Sequence, residues 1–252
     1  MSVADRAVHL SVIVPVRDGA ERLPAHLDML RAFTAAQPRA AELILVDDAS
    51  QPPAARLLAD FGRAAPGVTV LRNDPNRGKG FSVARGMQCA HGSYRVFLDA
   101  DLAYPVDEIT KIVRELETGS DVAIACRVLP ESRYLMSPSF FHYLYTRHVM
   151  SRVFNRVVRT ALLPGILDTQ AGLKGFTAPA AELVFPRLTI PGFGFDVEAL
   201  YIARKHGLRM KQVAVQYRYD DEPSTVRFAA DAAGMVRDLM KIRWNDWRGR
   251  YA

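Results

Sequence analysis

The sequence predicts an α/β protein with a mainly parallel sheet flanked by helices. Short apolar runs of strand length alternate with amphipathic stretches of helix length through the first half of the chain. Charged residues gather where each strand run gives way to the next helix, the edge at which parallel sheets with right-handed crossovers present their ligand sites. No internal repeat or low-complexity linker interrupts the 252 residues, a length suited to one large domain.

His9 to Val16 (HLSVIVPV) reads as the first strand, followed by a helix from about Arg22 to Ala35. Glu42 to Val46 is the second strand and Pro53 to Gly62 the second helix; Val68 to Leu71 is the third strand, with a helix from about Lys79 to Ala90. Tyr94 to Leu98 (YRVFL) precedes a helix over Pro105 to Glu117, and Val122 to Cys126 is strand again. The second half is less regular. Phe140 to Leu163 is expected to be a long amphipathic helix, Leu173 to Thr177 a short strand and Asp196 to His206 a helix. Lys211 to Tyr217 is expected as one strand and Arg227 to Trp244 as the last helix.

Hydrophobic residues make up 49% of the chain and charged residues 24%, a composition for a soluble globular protein with a substantial core. No secretory leader and no apolar run of bilayer-spanning length is evident, so a cytosolic location is expected. Cys89 and Cys126 sit apart in apolar contexts, without metal-ligand spacing, and read as reduced core thiols. The net charge of +6 points to an anionic partner: nucleic acid, anionic lipid or a diphosphate.

The chemistry-bearing residues stand at the strand ends. Arg17-Asp18 follows the first strand, Asp47-Asp48 ends the second, Asn73 to Gly80 follows the third and Asp99 to Asp101 ends the fourth. Asp99 and Asp101, two apart, are suited to one hard divalent cation whose shell is completed by substrate phosphates; alone, the same pair would read as turn or helix-cap residues. Of Asp47 and Asp48, one is suited to a ribose or base and the other to capping the next helix, with Asp47 favoured for the ligand. In Asn76-Arg77-Gly78-Lys79-Gly80 the glycines permit close backbone approach, and the cations and helix N-terminus favour phosphate, although the spacing is not that of a P-loop.

VIVPVRDGAERL, LILVDDAS, NRGKGFSVARG, FLDADL, DTQAGLKGF and GFDVEALYIARKHG occur in that order. Together they resemble glycosyltransferase family 2, with its GT-A fold, and within it the dolichyl-phosphate glucosyl- and mannosyltransferase branch. The resemblance implies a nucleotide-contacting set of Pro15, Arg17 and Asp18, with Glu21 standing in for a nearby acid, and Asp47 as the nucleotide-binding acid. It implies a diphosphate-side basic residue in Lys79, a metal motif in Asp99 and Asp101 for Mg2+ or Mn2+, and phosphate-binding basic residues in Arg127 and Arg133. Gln170 would face donor or acceptor. Asp196 falls at the catalytic-base position of many members, with Phe195 in place of the preceding acid. It would serve as base for a hydroxyl acceptor, and as a hydroxyl-binding group if the acceptor is an ionised phosphate; capping the helix that follows is the alternative.

The expected activity is inverting transfer of a hexose from a nucleotide sugar, UDP-glucose favoured over GDP-mannose, to a polyprenyl phosphate. Residues 9–126 would bind the nucleotide sugar, 127–226 the acceptor, and 227–252 form a C-terminal basic helix. A soluble hydroxyl acceptor, with Asp196 as base, is the alternative; a metal-dependent nucleotidyltransferase is remote, because RDGAERL is not glycine-rich. No nucleic-acid motif accompanies the charge, so nucleic acid is set aside. Arginines at helical spacing in Phe140 to Leu163, and Trp244 and Trp247 among the cations of Lys241 to Tyr251, suggest peripheral contact with an anionic membrane.

Overall fold

The computed structural model describes residues 7–136, 156, 158–160, 162–219 and 228–252. Its centre is a seven-stranded sheet. β1 (Leu10–Val16), β2 (Ala41–Asp48) and β3 (Val68–Asn73) pair in parallel, connected by α1 (Leu23–Ala35) and α2 (Pro52–Ala64). Proline in the first turn of both helices suits a position whose amide has no intrahelical partner. α3 (Lys79–Cys89) returns the chain to β4 (Tyr94–Leu98), on the other side of β1. The strand order thus reverses between β1 and β4, and a crevice opens at their carboxyl ends.

α4 (Glu108–Glu117) leads to β5 (Val122–Cys126). Between β4 and β5 lies β7 (Leu173–Thr177), antiparallel to both, with Leu98 opposite Leu173. Its reversed direction brings residues 168–172 to the edge where β4 ends. α5 (Ala178–Val184), a short 3-10 turn (Phe185–Arg187) and α6 (Phe195–Lys205) follow, and β8 (Met210–Ala214) closes the sheet beside β5. The final helix is α7 (Phe228–Trp247).

Side chains alternate between two cores. Val12, Val14, Leu43, Leu45, Val96 and Leu98 pack towards α1, α2 and α4, while Ile13, Ile44, Val46, Phe97 and Phe176 pack towards α3, α5, α6 and α7. Each such burial contributes about 1.5–3 kcal/mol. The inner strands are therefore covered on both faces, which leaves the carboxyl edge as the place for exposed polar chemistry.

The expected mainly parallel α/β fold is present, with local differences. The single strand expected over Lys211 to Tyr217 is two, β8 and β9 (Gln216–Tyr219), because the chain leaves the main sheet at Val215; β9 pairs with β6 (Arg133–Met136) in a separate ribbon. Cys126 is buried as expected, but Cys89 is exposed, on the last turn of α3 facing away from the sheet. Most of the helix expected over Phe140 to Leu163 lies outside the described residues; of its end, Val158, Leu162 and Leu163 are buried and Arg156 and Arg159 exposed. Among the described residues, no helix is long and apolar enough to cross a membrane.

Candidate active site

Among the described residues, three that are not glycine have left-handed backbones: Asp18 (φ 59°), Ala49 (φ 58°) and Leu102 (φ 50°). They occupy the loops leaving β1, β2 and β4, so backbone strain is concentrated at the carboxyl edge of the sheet. Asp18 fastens two of these loops. Its amide donates to Ser50 Oγ at 2.9 Å and its Oδ1 accepts from the Gln51 amide at 2.8 Å. Arg17 and Asp18 are exposed, Pro15 is half-buried in β1 opposite Val46, and Glu21 is exposed just before α1.

Asp47 and Asp48 are both buried. Asp47 accepts from the Ser50 amide at 2.8 Å and from Arg72, so its carboxylate is engaged within the chain at the carboxyl end of β2. Asp48 does not cap α2. Its oxygens accept from Asn73 Nδ2 and from the Arg77 and Gly78 amides, at 2.8–2.9 Å, and so shape the glycine-rich loop.

That loop differs from its expected role. The Gly80 amide donates to Pro191 O at 2.7 Å and the Phe81 amide at 3.3 Å, so the N-terminus of α3 is covered by protein. A Cβ on Gly78 would lie 2.5 Å from Pro191 O, and one on Gly80 2.6 Å from both Ile190 O and Phe195 Cβ. The glycines serve close packing against the 190–195 segment, leaving the Lys79 side chain to carry the loop's charge into the cleft. Lys79 Nζ lies 2.6 Å from Asp99 Oδ1. Burial opposes the Lys79 charge, but Asp99, Asp196 and Asp101 outweigh it and hold the ammonium above its usual lysine value.

The Asp99-Ala100-Asp101 turn is held from several sides. The Asp99 amide donates to Gly172 O at 3.1 Å, and His26 Nδ1 donates to Ala100 O at 2.8 Å. Asp101 is exposed, and its Oδ1 accepts from the Ala103 amide at 3.0 Å. Gly172 leaves room for Asp99: a Cβ there would lie 2.1 Å from Asp99 Oδ2. Asp99 Oδ1 is buried and, despite the nearby ammonium, receives no well-directed hydrogen bond.

Beneath Lys79 and Asp99 lies a pair that the sequence reasoning missed in part. Lys174, from β7, is fully buried; its Nζ donates to Asp196 Oδ1 at 2.5 Å and to Ala171 O at 2.5 Å. Asp196 is 3% exposed and does not cap α6, whose N-cap is Gly194. Burial pushes the Asp196 carboxyl up and the Lys174 ammonium down, each partly offset by the other's charge. In LKGFT the alternation makes a lysine look solvent-facing; only a central place in the sheet, between helical layers, would have marked it as buried.

Arg127 follows β5 and forms a fork with Asp168. Its amide, Nε and Nη2 donate to the Asp168 carboxylate at 3.1, 2.7 and 3.0 Å. Asp168 is the first residue of DTQAGLKGF, a motif whose presence was its signal. The Arg127 guanidinium also lies 5.3 Å from the Tyr217 ring, which packs edge-on to Tyr104. Two buried polar atoms, the Tyr104 hydroxyl and Gln170 Nε2, have no hydrogen-bond partner among the described residues. Arg133 opens β6 with an exposed side chain, and its neighbour Tyr134 donates to Arg127 O at 2.6 Å.

A further acid supports the cleft from behind. Glu198 is completely buried and accepts from the Thr189 and Ile190 amides at 2.9 and 2.8 Å, from Thr189 Oγ1 at 2.6 Å and from the Tyr251 hydroxyl at 2.5 Å. It thereby fixes the segment whose Pro191 carbonyl holds the start of α3, next to Lys79.

The structure thus brings Lys79, Asp99 and Asp196 together over Lys174, sets Arg127 on Asp168 along the same edge, and leaves Glu21 and Arg133 exposed. The sequence of glycosyl transferase family 2 matches residues 11–171. The chain belongs to glycosyl transferase family 2. Among curated members of the family, it is 32% identical over 247 residues to the dolichyl-phosphate beta-glucosyltransferase of Dictyostelium discoideum and 34% identical over 249 residues to that of Drosophila melanogaster. Each alignment covers 94% of this chain and 74% of the relative. Among solved structures, glucosyl-3-phosphoglycerate synthase from Mycobacterium tuberculosis, in complex with Mn2+, UDP-glucose and phosphoglyceric acid, superimposes with a TM-score of 0.66 at 17% identity. That match covers 95% of this chain and 80% of the other, and bears out the GT-A fold expected from the family resemblance.

Proposed function

We propose that this family 2 enzyme transfers glucose from UDP-glucose to a polyprenyl phosphate, with inversion at the anomeric carbon. The likeness over nearly the whole chain to dolichyl-phosphate beta-glucosyltransferases supports the donor and acceptor. The observation that carries the chemistry is the approach of Lys79 Nζ to Asp99 Oδ1 at the crevice between β1 and β4.

The acceptor phosphate is ionised at neutral pH, so its oxygen attacks the anomeric carbon without a base removing a proton. The bond from that carbon to the diphosphate breaks, and its electron pair leaves on UDP. The Lys79 ammonium is assigned to the departing diphosphate, and the Arg127 guanidinium, kept in place by Asp168, to the acceptor phosphate. Asp196, held by Lys174, is assigned to a sugar hydroxyl. Gln170 Nε2 and the Tyr104 hydroxyl, both buried without partners among the described residues, are suited to ligand oxygens.

The residues fit a divalent cation, Mg2+ or Mn2+. Asp99 and Asp101 offer hard oxygen donors, and Asp99 Oδ1 lacks a well-directed hydrogen bond. Among the described residues, no group of three or more His, Cys, Asp or Glu side chains assembles around a single metal position, so the remaining ligands would be nucleotide phosphates and water. Such an ion, when bound, offsets the charge that develops on the leaving diphosphate. A lipid acceptor makes the enzyme work at a membrane surface, and its two free cysteines suit the reducing cytosolic side.

The test is conversion of UDP-glucose with a short-chain polyprenyl phosphate in detergent, followed as UDP release and as glucose entering the organic phase. Turnover of water-soluble acceptors with none of the lipid phosphate would reject the acceptor. Release of pyrophosphate would reject glycosyl transfer.

A further inference from the structure

The outer face of α7 exposes three large apolar side chains. Met240, Trp244 and Trp247 follow one another at spacings of four and three residues, so they form one stripe along the helix. They are 62%, 55% and 78% exposed, while Leu239, Ile242 and Asn245 anchor the opposite face. The two indole rings lie 5.2 Å apart, and the Arg248 guanidinium stands 5.8 Å from the Trp244 ring. Exposed indoles carry a solvation cost that no contact among the described residues removes.

Charge is sorted along the same helix. Arg237, Lys241 and Arg243 on the helix, and Arg248 and Arg250 just past its end, are exposed. Of the three acids on the helix, Asp238 packs against Gly194, and Asp246 accepts from the Tyr201 hydroxyl at 2.6 Å and pairs with Lys205. Beside Arg243 the surface opens into a cavity of about 350 Å3, lined also by Arg204, Lys205, Tyr201, Thr160 and Pro164. Arg204 and Arg243 beside a hollow of that size suit a phosphate group, with Lys205 and the Tyr201 hydroxyl held by Asp246.

We infer that this face docks on an anionic bilayer, with Trp244 and Trp247 at headgroup depth and a lipid phosphate in the cavity between α6 and α7. Aromatic side chains flanked by cations are the composition of such interfaces. The tryptophans lie roughly 10 Å farther along α7 than Asp238, at a rise of about 1.5 Å per residue, and Asp238 sits at the cleft end of α6. Docking there leaves the cleft open beside the membrane. The inference deepens the lipid-acceptor reading, but its test is independent of turnover.

The experiment is flotation of the whole chain with vesicles of phosphatidylcholine alone, and of phosphatidylcholine mixed with phosphatidylglycerol, with indole emission recorded in parallel. Binding is expected to the mixed vesicles only, with a blue shift, and to weaken as salt is raised. The Trp244→Ala/Trp247→Ala pair and Arg243→Glu should each lower partitioning on the order of tenfold, while melting temperature and turnover of detergent-dispersed acceptor stay unchanged. Absence of wild-type flotation, or equal flotation of the variants, overturns the docking face. So does a wild-type dimer that the tryptophan pair dissociates without changing flotation, since the stripe would then be a contact between copies. Flotation without turnover of any lipid phosphate would sink the acceptor reading and leave the docking face standing.

Discussion

Lys174 and Asp196 meet beneath the cleft, Nζ to Oδ1 at 2.5 Å, with neither side chain more than 3% exposed. Breaking one side of such a pair leaves a buried charge alone, which costs about 3–5 kcal/mol. Lys174→Met should therefore destabilise the enzyme by that amount in urea unfolding, and turnover should fall as Asp196 loses its position. Adding Asp196→Leu should restore most of the stability and none of the activity. Recovery of activity in the double variant would show that Asp196 has no part in the reaction.

The Arg127–Asp168 fork should be visible as acid sensitivity. Burial alone would raise the Asp168 carboxyl; the Arg127 guanidinium outweighs it and holds the group below its usual carboxylate value. A carboxyl whose folded value is depressed adds stability above its unfolded value and loses it as pH falls through the folded value. The stability difference between wild type and Asp168→Asn should thus be constant from about pH 7 to about pH 5 and shrink below about pH 4. Denaturant melts across that range measure it. A difference independent of pH would contradict the assignment.

Gly172 is predicted to be intolerant of a methyl group. The Cβ of Gly172→Ala would meet Asp99 Oδ2 at 2.1 Å, so the carboxylate must move. Displacing a reacting-site group by an ångström costs on the order of a hundredfold in rate, while overpacking costs about 1–3 kcal/mol in stability. Steady-state kinetics beside thermal melts should show a folded variant with kcat/KM for the nucleotide sugar reduced to that degree. Wild-type kinetics would mean that Asp99 tolerates the shift and is not a close ligand.

Glu198 connects the back of α6 to Lys79 through Thr189, Ile190 and Pro191. An amide replaces one accepting oxygen by a donor, so Glu198→Gln should leave buried donors facing a donor at a cost of about 1–3 kcal/mol. If the segment positions Lys79, KM for the donor rises while KM for the acceptor is unchanged. Equal changes in both would indicate general loosening of the fold.

Much of the architecture is written in local pattern. Each strand from β1 to β5 and the helices between them follow from apolar periodicity, and the charged strand ends point to the correct edge. What local pattern does not encode is direction and partnership. LKGFT reads as a strand whichever way it runs, yet only its antiparallel insertion between β4 and β5 buries Lys174 and brings Asp168 and Gly172 to Arg127 and Asp99. The glycines of Asn76 to Gly80 signal a close approach without naming what approaches; here it is Pro191, more than a hundred residues later. Glu198 was hidden for a similar reason, since an acid in the first turn of a helix ordinarily faces water, and its four donors come from outside the helix.

The central claim, a metal-assisted glucosyl transfer centred on Asp99 and Asp101, is tested most directly by one assay. Wild type and Asp101→Ala are incubated with UDP-glucose, polyprenyl phosphate and Mg2+ or Mn2+, with and without chelator, and lipid-linked glucose is counted. The account predicts product from the wild type only when metal is present, and none from a variant that melts at the wild-type temperature. Undiminished product from Asp101→Ala, or from the wild type in chelator, would contradict it.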